Sequence, residues 1–141
     1  MLIQWLCALI YFSSAKWKLL VSGMEWMNGY TLQYYFLADG LQNGRPLGVW
    51  FAQFHTAACW LSWITMFFEA TFFLVLVFPW LAWVYLPLGV ALHTGIYLTL
   101  GAPFFQFIVV YAVFVPWERV WYRMQRWRER WGRLRVEGAM N

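Results

Sequence analysis

The chain has 141 residues, of which 63% are hydrophobic, 23% aromatic and 11% charged, against about a quarter charged in an average soluble domain. That balance argues against a water-soluble domain and predicts an all-α integral membrane protein of about three transmembrane helices plus interfacial amphipathic helices. The net charge of +4 arises in the tail, where Trp117 to Asn141 contains seven Arg and three Glu, while Lys16, Lys18 and Arg45 balance Glu25, Asp39 and Glu69 in the rest. Cys7 and Cys59 both fall in apolar runs, which argues against a disulfide framework.

The first predicted element is a helix over 2–21, marginal as a span because Lys16 and Lys18 lie in its last turns. Two residues apart on a helix is about 200°, so one lysine is expected to look inward while the other snorkels to the interface; snorkelling of both is the simpler alternative. The apolar run opens at Leu2 without a basic segment before it, which fits either an N-terminus outside the membrane or the later part of a longer protein. From 22 to 48 the chain is broken by Gly23, Gly29, Gly40, Gly44, Pro46 and Gly48, and its aromatics suit a short interfacial helix followed by a turn.

A second span is expected over 49–78, and it carries one carboxylate, Glu69. An ionised acid at mid-membrane costs roughly 2.5 to 3.5 kcal/mol on insertion scales, so it must be protonated, solvated or paired. His55, Ala58, Ser62, Thr65 and Glu69 recur at steps of three and four and share one helix face. That stripe should face other helices, with Trp60, Trp63, Phe67 and Phe68 mostly off it. Either a protonated Glu69 hydrogen-bonds a neighbouring helix, or it forms an ion pair for which Lys18 is the candidate.

A third span is expected over 88–115, with Pro87 near its first turn and a kink at Gly101 and Pro103. Gly89, His93 and Tyr97 lie on one of its faces, either as a hydrogen-bonded helix contact or as a cofactor site in which the glycine lets a ring approach the imidazole. A metal site from His55, Glu69 and His93 is not expected, because 14 residues separate the first two, about 21 Å along one helix. Residues 117–141 read as an amphipathic interfacial helix: Trp121, Trp127 and Trp131 fall on its apolar stripe, and Arg119, Arg123, Arg126 and Arg130 on the other side, suited to anionic lipid headgroups rather than nucleic acid. The positive-inside rule makes this tail cytoplasmic, and three spans counted back from it put Met1 outside.

Four stretches, YFSSAKWKL (Tyr11 to Leu19), WMNGY (Trp26 to Tyr30), LSWITMFFE (Leu61 to Glu69) and LHTGIYLTLGAPFFQF (Leu92 to Phe107), occur in an order that resembles the vitamin K-dependent gamma-carboxylases and their bacterial relatives, the horizontally transferred transmembrane (HTTM) domain proteins. The resemblance makes 1–116 an HTTM-like membrane domain and implies that Lys18 stands where the family has a lysine base that deprotonates a reduced quinone. An amine does so only when neutral, a form that burial among Tyr11, Phe12 and Trp17 would favour.

Two functions follow. The first is a non-catalytic structural or accessory subunit of a larger membrane complex, photosynthetic or respiratory, in a bacterial inner or intracytoplasmic membrane, with lipid as its expected ligand. The second is a quinol-binding carboxylase-like or epoxidase-like enzyme in which Lys18 is the base, His93 a hydrogen-bond donor to the quinone and Glu69 the group orienting one of them. For a quinone or a pigment, His93, Tyr97 and Gly89 are the candidate contacts. Convergence of Lys18, Glu69 and His93 around a cavity separates the two.

Overall fold

The computed structural model describes residues 2–139, with side chains through Arg130, and it is helical with no strand among the described residues. Helix α1 runs from Leu2 to Ser22, as the apolar periodicity predicts. Lys18 points into the bundle and Lys16 out of it, the division that 200° of helical rotation imposes. A 3-10 turn (Gly23–Asn28) leads into α2 (Tyr30–Gln42) and α3 (Pro46–Phe51), which form a helical hairpin where a short helix and a turn were expected.

The run expected as one span over 49–78 is divided. Its first residues close α3, and α4 (His55–Thr71) starts only after an interruption at residues 52–54. Gln33 Nε2 donates to the carbonyl of Ala52 at 2.6 Å, so a side chain satisfies an acceptor that helix continuation would otherwise use. Between α4 and α5 (Leu74–Val77) the chain only tightens, with Val75 N–H donating to Phe72 O and Leu76 N–H to Phe73 O in i to i+3 bonds.

After a 3-10 turn at Pro79–Leu81 comes α6 (Ala82–Leu100), and Pro79–Leu100, with a mean hydropathy of 1.4, is the one described helix long and apolar enough to cross a membrane. Pro87 lies inside α6 rather than at its start. The expected continuous third span over 88–115 does not form. Gly101, at φ +79°, ends α6, and the chain reverses into α7 (Phe105–Val110) and a 3-10 turn at Tyr111–Phe114. Two helix breakers within three residues make a turn where one alone would give a kink. The exposed end is capped from elsewhere: Asn43 Nδ2 donates to Leu100 O at 2.7 Å.

The reversal sets the layout. His93 stacks on Phe107 and Gly89 lies against Tyr111, so the returning segment runs antiparallel to α6. Lys18 meets Glu69 and Phe12 meets Phe73, so α1 is antiparallel to α4. Gln4 Nε2 then reaches Val113 O at 2.8 Å, and Trp117, the first residue of α8 (Trp117–Ala139), donates to Ala112 O. The start of α1 and the start of α8 therefore share one end of the bundle, whereas an uninterrupted third span would have set them apart. The α2–α3 hairpin occupies the other end.

The core is aromatic. Tyr11, Phe68, Phe72, Tyr85, Tyr111 and Phe114 are buried together between α1, α4, α6 and the returning segment. Outside, Trp5, Trp17, Trp60, Trp63, Trp80 and Trp83 are all exposed.

With Cys7 and Cys59 replaced by Ser, spin labels on Gln4→Cys and Val113→Cys should lie within about 20 Å of each other by pulsed electron resonance. An uninterrupted third span would separate them by roughly 30 Å, the thickness of a hydrocarbon core.

Candidate functional site

The polar stripe on α4 faces inward: Ala58, Ser62 and Glu69 are buried, while Trp60, Trp63 and Phe67 face out and Phe68 fills the core. Glu69 meets Lys18. The ammonium donates to both carboxylate oxygens at 2.7 Å, and the face of Trp26 lies 4.4 Å from Lys18 Nζ. This is a two-point ion pair screened by an aromatic lid, and the pair is mostly buried. Among the described residues, every hydrogen bond that Lys18 Nζ makes is to Glu69. A base needs a lone pair aimed at substrate.

His93 belongs to a different cluster. Its Nε2 is 2.7 Å from the hydroxyl of Tyr11, which also makes a short hydrogen bond to the hydroxyl of Tyr111. Tyr11 is thus the hub of a buried Tyr–Tyr–His chain, walled by Phe68, Phe72 and Phe107. His93 Nδ1 and Ser62 Oγ are buried without a hydrogen-bond partner among the described residues. No local pattern marks Tyr11 as the partner of His93, because 82 residues separate the two.

Lys18 and Glu69 therefore meet, and His93 does not join them. The apolar groove between α6, the returning segment and Trp117, about 790 Å³, is lined by none of the three. Nor are they found along the smaller cleft among α2, α3, α4 and α6, about 320 Å³, where Phe36, Ile64 and Thr99 lie. The face expected to admit a ring is closed as well. The space over Gly89 is filled by the phenol of Tyr111, and Tyr97 is covered by Phe105 and by the guanidinium of Arg45, 4.5 Å from its ring. Among the described residues no cluster of His, Cys, Asp and Glu has the makings of a metal site.

On α8, Arg119, Arg123, Arg126 and Arg130 are exposed along with Trp121 and Trp127, while Trp131 lies outside the residues whose side chains are described. No protein-family model matches the chain, and neither does any curated protein or solved structure.

Sequence reasoning also passed over a second polar group, at the end of the bundle opposite α8. There His55 contacts both Gln33 and Cys59. The i, i+4 spacing of His55 and Cys59 was a readable signal; the approach of Gln33 from α2 was not.

Removing one member of the ion pair leaves an unpaired buried charge, which typically costs about 3 to 5 kcal/mol, while replacing both by apolar residues is often neutral. Lys18→Met and Glu69→Met should each lower the thermal midpoint in detergent sharply, and the double variant should recover most of the loss. Equal midpoints for the single variants and the unaltered chain would show that the pair contributes nothing.

Proposed function

We propose that this chain is a membrane-embedded, non-catalytic subunit that packs a rigid helical bundle against a larger membrane protein assembly and anchors itself with α8 on anionic lipid. The observation that carries this reading is the way its polar groups are used. Lys18 closes on Glu69 and His93 on Tyr11, while the exterior presents tryptophan and aliphatic side chains. Such a molecule is polar inside and apolar outside, the arrangement that a bilayer solvent demands. An active site would instead aim some of those groups into a cavity.

In this reading α1, the α4–α5 pair and α6 cross the bilayer, and 105–114 returns part of the chain to the side from which α6 came. The arginines of α8 put that side in the cytoplasm by the positive-inside rule, and the N-terminal end of α1 lies there with it. The membrane is a bacterial inner or intracytoplasmic one, and the assembly a photosynthetic or respiratory complex. The HTTM resemblance fits the same role. Its four stretches supply the groups that hold the bundle together: Tyr11 and Lys18 from the first, Trp26 from the second, Glu69 from the third, His93 and Phe107 from the fourth.

Purification of the full chain from native membranes in mild detergent tests this, with mass spectrometry and an absorption spectrum on the same fraction. Stoichiometric co-migration with large membrane subunits is the expected outcome. A lone species carrying bound quinone would overturn it in favour of an enzyme.

A further inference from the structure

The group at the α2–α3 end of the bundle has the order of parts found where a thiol is made reactive. Gln33 Nε2 donates to Ala52 O at 2.6 Å, which fixes the amide so that its Oε1 faces His55 Nδ1 at 3.0 Å. An acceptor at that position places the proton of the neutral imidazole on Nδ1 and leaves the lone pair on Nε2. Nε2 lies 3.4 Å from Cys59 Sγ. A nucleophile, a base and a group orienting the base thus stand in line. Tyr30 covers the imidazole, with ring centroids 4.3 Å apart.

The backbone holds the sulfur in place. The thiol donates to Asn28 O at 2.8 Å, and Gly29, at φ +86°, comes so close that a Cβ there would lie 2.7 Å from Cys59 Sγ. Cys59 is partly exposed, unlike the buried Cys7. One and two turns further along α4, on the same side, come the exposed Trp63 and Phe67. A chain attached at Cys59 would run along this apolar row for about 12 Å at about 1.5 Å per residue.

We propose that Cys59 is a site of S-acylation, taking a long-chain acyl group from an activated acyl carbonyl at the membrane surface. The thiol proton, donated to Asn28 O at rest, turns about Cβ–Sγ toward His55 Nε2, which takes it as the sulfur attacks the carbonyl carbon. The bond from that carbon to the donor's oxygen or sulfur then breaks, and the proton passes to the departing atom. The products are a thioester on Cys59 and a lysolipid or a free thiol. The step is a single modification without turnover, so it agrees with a structural subunit. It rests on the membrane reading above, whose failure would show separately as protein recovered in the soluble fraction.

The test uses the full chain in two arms, in detergent with palmitoyl-CoA and in vesicles of phosphatidylethanolamine and phosphatidylglycerol. Intact mass, peptide mapping and release by hydroxylamine are read in each. The expected result is one hydroxylamine-labile acyl group on Cys59 and none on Cys7, with the productive arm identifying a thioester or a lipid ester as the donor. His55→Ala should slow the reaction by about 100-fold, the lower end of general-base effects. Gln33→Leu should slow it as well, whereas Gln33→Glu, which keeps an acceptor for Nδ1 but gives up the donation to Ala52 O, should recover part of the rate. No adduct on Cys59 in either arm would overturn the proposal, and so would an unchanged rate in His55→Ala. Should that variant fail to elute as a folded species, equal rates for Gln33→Leu and Gln33→Glu would overturn it instead.

Discussion

The bundle is organised by the contact between Lys18 and Glu69. Neither charge is tolerable alone in an apolar interior, and each makes the other acceptable only when both carboxylate oxygens meet the ammonium. That requirement fixes the rotation of α1 about its axis. Once Lys18 faces α4, Ala15 and Tyr11 must face inward too, one and two turns earlier. The position of Tyr11 in turn decides what His93 can meet, and hence how α6 sits.

The segment between α1 and α4 serves the same contact. Trp26 covers Lys18, Met27 packs with Ala15 and Met66, Gly29 closes on Cys59 and Tyr30 on His55. With Asn28 O accepting from the Cys59 thiol, the five residues from Trp26 to Tyr30 thus bind α4 to the end of α1. A loop so occupied behaves as core. The two charges stay paired because the water that would separate them is displaced by an indole face.

Helical periodicity made the inward face of α4 legible, because small and polar residues at steps of three and four define a face whatever lies opposite. The same arithmetic told the two lysines of α1 apart. It did not carry across the chain. Tyr11 with His93, and Gln33 with His55, are pairs joined only by folding, and neither partner's neighbours in sequence announce the other. The reversal after α6 was half visible: Gly101 and Pro103 mark a break, but a kink and a turn use the same residues, and the choice was made by Asn43, which caps Leu100 from a different helix. The interruption before His55 had no breaker residue at all, since Ala52, Gln53 and Phe54 contain neither glycine nor proline.

The turn at Gly101 also bears on biogenesis. In the membrane arrangement proposed above, the hairpin made of α6 and its antiparallel return enters a bilayer as one unit, with both of its ends left on the side where the chain is synthesised. The arginine-rich helix that follows then has no bilayer to cross. Under that proposal the arginines at the start of α8 are spared dehydration.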